Sequence, residues 1–178
     1  MFRFFLGGGI GLAAVLCTLI APAFAADQAP HRVIFALDAC DPTTFNQALG
    51  PGTCVRSGGG ITFQMFLQQL QRLQRAPAWR FAPDDVHARS DDPILVENIG
   101  GETHTFTEVA QFGGGSVPQL NQLAGNLTER PECAAGPGPD NHILAPGASF
   151  VFTEEDPGTH LYQCCIHPWM HAVLTVRG

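Results

Sequence analysis

Seven residues near the C-terminus constrain this chain more than any other stretch. They are Cys164-Cys165-Ile166-His167-Pro168-Trp169-Met170, inside the longer run Gly158 to His171. A thiol, an imidazole and a thioether fall here within one short loop. The hydrophobic interior of a strand gains nothing from that mixture, whereas a soft metal ion does. Thiolate, imidazole and thioether together suit copper, in its electron-transfer version as a trigonal plane of two histidines and one cysteine with a weak axial methionine. One imidazole is missing from the loop. A chain built this way must bring a second histidine from elsewhere and hold it against the end of a strand.

The cysteine count agrees with a metal ligand. The chain opens Met1-Phe2-Arg3, runs apolar from Phe4 to Phe24, and reaches the small-residue sequence Ala23-Phe24-Ala25. This has the form of a cleaved export leader over residues 1–25. Membrane contact is expected only if that segment is retained as an anchor. A periplasmic or otherwise exported location follows. Five cysteines remain after cleavage, Cys40, Cys54, Cys133, Cys164 and Cys165. Thiols pair in an oxidising compartment, and an odd number leaves one over. Cys40 and Cys54 bracket a turn-rich loop, and a bridge between them would contribute about 3 kcal/mol by restricting the unfolded chain. Two unpaired structural thiols are the other reading of that pair.

Charge excludes one class of partner. The nine basic residues are all arginines and face sixteen acidic ones, a net charge of −7, and loss of Arg3 with the leader makes the remainder more acidic still. Nucleic acid is not an expected partner. A basic protein face is, because long-range attraction governs encounter rate.

Along the chain, Arg32 to Leu37 is apolar and β-prone, and Asp38 to Thr44 is turn chemistry. After Ser57-Gly58-Gly59-Gly60, the residues Phe63, Phe66, Leu67, Leu70 and Leu73 recur at helical spacing up to Pro77, predicting an amphipathic helix. It reads as a cover for one face of the main domain. From Trp79 onward the pattern is short strands and turns: residues 79–81, 86–88, 94–96, 104–109, 149–152, 160–164 and 172–176. The alternation in His104 to Val109 suits a half-buried strand. Residues 110–141 are rich in Gly, Pro and Asn, with a short helix at most near Gln119 to Leu123. Such spacing predicts an antiparallel sandwich.

Outside the loop the candidate histidines are His31, His87, His104 and His142. His104 follows the turn Asn98-Ile99-Gly100-Gly101-Glu102-Thr103 and opens a strand. The segments Asn98 to Val109, with His-Thr-Phe-Thr, and Tyr162 to Met170, with Cys-x-x-His-Pro-Trp-Met, resemble the two copper-binding segments of the cupredoxin family, in particular its plastocyanin- and amicyanin-like members. The resemblance covers about residues 78–178 and implies an all-β, cupredoxin-like Greek-key β-sandwich. Residues 26–77 then form an N-terminal elaboration with a disulfide loop and one amphipathic helix. It also implies a type 1 site for one copper ion with His104, Cys164, His167 and Met170 as ligands. With Cys164 committed, Cys165 is left to pair with Cys133 if Cys40 joins Cys54. A reduced Cys165 beside the metal is the alternative. His160 and His171 have no place in the family pattern, and His171 reads as an exposed residue beside the loop.

The resemblance implies a monomeric one-electron carrier, not an enzyme, that meets a redox protein partner through the His167 ring edge. A copper-delivery protein without redox turnover is the alternative. Only Met65 and Met170 remain after cleavage, which is poor in the methionines such a role favours.

Overall fold

The computed structural model describes residues 32–138, 141–154 and 156–178. The leader read at residues 1–25 and His31 lie outside them. Among the described residues no helix is long and apolar enough to cross a membrane.

The structure is mostly β, in two sheets, with few helices. The first strand, β1 (Arg32–Leu37), leads to α1 (Pro42–Leu49) and α2 (Phe63–Leu73). Then come β2 (Arg80–Ala82), β3 (Asp85–Arg89), β4 (Ile94–Asn98) and β5 (His104–Val109). Two short helices, α3 (Pro118–Leu123) and α4 (Pro131–Ala134), precede β6 (Asn141–Leu144), β7 (Ser149–Phe152), β8 (Gly158–Gln163) and β9 (His171–Arg177). One sheet has the order β2-β1-β4-β7 and the other β3-β9-β8-β5-β6.

The pairing is not wholly antiparallel, as the strand spacing had suggested. β1 runs parallel to β4, with Arg32 opposite Ile94 and Ala36 opposite Asn98, and β3 runs parallel to β9. Both pairs join segments far apart in sequence, which needs no hairpin and so permits either direction. Residues 32–37 fall on the N-terminal side of the boundary read at residue 78. They nevertheless occupy an interior position in the four-stranded sheet, between β2 and β4.

The helices have local causes. Asp41 caps α1, its carboxylate accepting from the Thr44 amide at 2.8 Å, and Pro42 takes the first turn, where a missing amide proton costs nothing. Read as turn chemistry, this segment is in fact a helix start. Thr62 caps α2 through the Met65 amide, and Gln74 closes it in the left-handed conformation. The apolar face of α2 buries Phe66 and Leu70. Phe45 of α1, Phe63 and Phe66 of α2, and Trp79 form one aromatic cluster with ring centroids 4.7–5.7 Å apart for the pairs Phe45–Phe63, Phe45–Phe66, Phe45–Trp79 and Phe66–Trp79. Each such pair contributes about 1 kcal/mol beyond the area it buries.

β5 is buried on both faces, not one. Its inward face carries His104 and Phe106, and Phe106 packs on Phe81, Phe150 and Phe152 of the opposite sheet. The other face is covered by the irregular segment after Val109. Gly113 donates to the Gln163 side chain, Ser116 donates to the Cys165 carbonyl, and Gly114 pairs with Glu129. A loop that satisfies its own backbone in this way can lie on a sheet without leaving polar groups stranded.

Candidate metal centre

Two sequence segments about sixty residues apart meet between the sheets. His104 stands at the start of β5 on the face that looks toward the first sheet. Cys164 directly follows β8, and the loop to Met170 folds back on itself. The Cys164 amide donates to the Met170 carbonyl at 3.0 Å, and the Met170 amide donates to the His167 carbonyl at 2.9 Å. This ring of backbone bonds places His167 over Cys164.

The sulfur of Cys164 lies 3.9 Å from His104 Nδ1 and 3.8 Å from His167 Nδ1. The three ligand atoms are within 4.8 Å of one another, and all three residues are buried. An ion held at ordinary thiolate and imidazole bond lengths in a trigonal plane separates sulfur from nitrogen by about 3.8 Å. The donor spacing therefore fits a single soft ion. Met170 is fully buried in the same loop. Cys164 is the free cysteine of the described chain; Cys40 is bonded to Cys54 and Cys133 to Cys165. The neighbouring cysteines of the doublet thus serve two structures, one facing the site and one fixing the covering segment.

The surroundings of the sulfur favour its ionised form. Burial by itself would push the Cys164 thiol up, but hydrogen bonds from His104 and His167 outweigh it and hold the thiol well below its ordinary value. The amides of Thr105 and His167 also donate to the sulfur, at 3.3 and 3.4 Å.

Asp38 was not visible as a site residue in the sequence. It follows β1, and its Oδ2 lies 3.1 Å from His104 Nε2. The same oxygen accepts from the amides of Gly101 and Glu102 at 2.8 and 2.9 Å. Burial would raise this carboxyl; His104 and the three backbone donors Glu102, Gly101 and Cys40 more than reverse that and bring it to about 2. Burial likewise disfavours charge on His104, yet Asp38 and Cys164 raise it to about 9. A carboxylate on one ring nitrogen aims the other at the metal position, a common arrangement around metal-binding histidines. Gly100 and Gly101 permit it, because a Cβ on Gly100 would run into the Asp38 carboxylate and one on Gly101 into Arg56 and Cys40.

The outer edge of His167 does not face solvent. The residue is 3 % exposed, and its Nε2 lies 3.7 Å from the carboxylate of Glu102, which also accepts from the Trp79 indole at 2.5 Å. Trp169 and Trp79 stand against the ring, and Phe66 of α2 packs on both tryptophans. The ring edge expected to meet a partner is therefore roofed by the segment from α2 to Trp79. Burial pushes the Glu102 carboxyl up, partly countered by His167 and Trp79.

His171 is not an exposed residue beside the loop. It opens β9, stacks on Phe112 at 3.8 Å and reaches the Pro168 carbonyl at 2.8 Å. His160 points to the opposite end of β5, toward Glu108. Neither joins the centre, and His87 and His142 lie elsewhere.

No family model matches the sequence, and no curated protein matches it. Among solved structures, the fold is similar to a purple cupredoxin from Nitrosopumilus maritimus, at 14 % identity and a TM-score of 0.43 over 82 % of this chain and 99 % of that one. It is also similar to oxidised plastocyanin from Dryopteris crassirhizoma, at 19 % identity and 0.37 over 56 % and 89 %. A reduced amicyanin mutant aligns at 18 % identity and 0.34 over 53 % and 70 %. At these identities and scores the likeness says nothing about individual residues. The candidate ligand set stands on side-chain geometry.

Proposed function

We propose that this is an exported type 1 copper protein with a cupredoxin-like Greek-key sandwich, acting as a one-electron carrier between redox partners and not as an enzyme. One observation carries the reading. The only unpaired cysteine among the described residues is buried, with one imidazole nitrogen 3.9 Å and another 3.8 Å from its sulfur. His104, Cys164, His167 and Met170 would hold the ion. Copper in such a site supplies a one-electron couple.

The chain's own residues do the rest. Asp38 fixes the orientation of His104, and two backbone amides hold the Cys164 sulfur. The Phe66–Trp79–Trp169 roof excludes water, so the donors need not rearrange when charge changes. The Trp169 ring, T-shaped against His167 at 5.6 Å, continues the packed path from His167 outward. A cleft beside Trp169 is lined by Arg75, Arg80 and Asp84. The partner is a redox protein with a basic docking face, attracted by the acidic body and met through a small transient contact.

Absorption spectroscopy of the copper-loaded, oxidised protein tests this. An intense visible Cys-to-copper charge-transfer band is expected, absent in Cys164→Ser; Met170→Leu should keep the copper and raise the reduction potential. A protein that binds copper yet stays colourless when oxidised would be a copper-delivery protein without redox turnover.

A further inference from the structure

A second set of metal-capable side chains lies at the other end of β5. Antiparallel pairing puts Glu108 opposite Tyr162 on β8, and His160, two residues before Tyr162, shares its face. Glu154 arrives from the segment after β7. His160 Nδ1 lies 2.8 Å from Glu108 Oε1 and 3.6 Å from Glu154 Oε2, and the three ligand atoms fall within 4.8 Å of one another. The His160 and Glu154 side chains are only 14 % and 17 % exposed.

The tautomer is set from behind. His160 Nε2 lies 2.9 Å from the Asp156 carbonyl, which can only accept, so Nε2 carries a proton and Nδ1 faces the two carboxylates. Ligands at about 2.1 Å from one ion and at right angles to each other stand about 3 Å apart, and at wider angles up to about 3.6 Å. Both observed separations fall in or next to that range. A cavity of about 130 Å³ adjoins the cluster, lined by Glu108, His142, Glu154 and Tyr162 beneath three phenylalanines. It leaves room for water on the open side of an ion.

Charge points the same way. A protonated His160 against two carboxylates leaves one negative charge over, whereas a neutral imidazole, two carboxylates and a divalent ion sum to zero. No arginine among the described residues pairs with Glu108 or Glu154.

We propose that His160, Glu108 and Glu154 form a second, mononuclear metal site for a divalent ion, with zinc as the ion it takes. One imidazole and two carboxylates with an open position suit zinc. Glu108 lies four positions along β5 from His104, about 13 Å along the strand. This site shares no ligand with the Cys164 centre and stands whether or not that centre binds copper.

Equilibrium dialysis of the copper-loaded protein against zinc, followed by metal analysis, tests it. One zinc per chain beyond the copper is expected, with the visible band unchanged. His160→Ala and Glu154→Gln should each weaken zinc binding by more than about tenfold, and His87→Ala, on the surface beside Asp85, should leave it intact. Cobalt in place of zinc should bind without thiolate charge transfer, which separates this site from Cys164. In Cys164→Ser the zinc equivalent should persist, so a failure of the copper reading leaves this result legible. No zinc beyond the copper, or zinc uptake that survives Glu154→Gln, would overturn the proposal. Glu154→Gln keeps the side chain's shape, so it decides the matter even if His160→Ala does not fold.

Discussion

Asp38 connects the two sheets through one buried contact. Its carboxylate receives two glycine-turn amides and faces His104, so its ionised form is stabilised only in the folded chain. The folded value, about 2, lies below the ordinary 3.8. A depressed carboxyl contributes stability above its unfolded value and loses it as pH falls through the folded one. In the metal-free protein, Asp38→Asn should therefore cost about 2 kcal/mol at pH 6, and the deficit should close as pH falls from about 4 toward 2. Urea denaturation of both forms across that range measures it. A deficit that does not change with pH would mean that packing, not charge, holds Asp38. The raised value of His104 is the same interaction seen from its partner.

At the scale of elements, α2 acts as the roof of the centre. Phe66 is 3 % exposed and touches both tryptophans that flank His167. Phe66→Ala removes a large buried ring from a cluster with little room to collapse and should cost about 3–5 kcal/mol. It should also let solvent nearer to His167. In the copper-loaded protein, oxidation by hexacyanoferrate should accelerate, measured by stopped flow on the visible band. Lost stability with an unchanged oxidation rate would leave α2 as a structural cover with no part in access to His167. The disulfides divide the same way by element. Cys40–Cys54 ties the start of α1 to the loop before α2, and Cys133–Cys165 pins the covering segment, through α4, to the residue next to Cys164.

For the whole molecule, charge sets how partners arrive. Sixteen acidic residues against nine arginines make a negative body, while Arg75 and Arg80 stand beside the cleft near Trp169. Steering by the body acts over the Debye length, about 30 Å at 0.01 M salt and about 8 Å at 0.15 M. Electron exchange with hexaammineruthenium, a cationic reagent, should thus slow by roughly tenfold between those salt levels. Exchange with anionic hexacyanoferrate should quicken or hold level. If the cationic reagent shows no salt dependence, the local arginines govern approach and the basic-partner reading fails.

The sequence by itself determined which soft side chains share the C-terminal loop, and the cysteine arithmetic. Cys164, His167 and Met170 lie within one loop, and an odd cysteine count leaves one thiol unpaired whatever the fold. The periodicity of α2 was equally legible, because 3.6-residue spacing is a local property. The α1 cap, Asp41 with Pro42, was legible too but read as a turn. Tertiary structure decided what depends on distant segments meeting. β1 pairs in parallel with β4, which sets Asp38 beside His104. The segment after Val109 buries the second face of β5, and Phe66, Trp79 and Glu102 close over His167. None of these contacts has a local signature: Asp38 in Asp-Ala-Cys looks like any turn residue until the second sheet brings an imidazole within 3.1 Å. Local pattern reports which face a residue presents, and only the packing of the two sheets selects what that face meets.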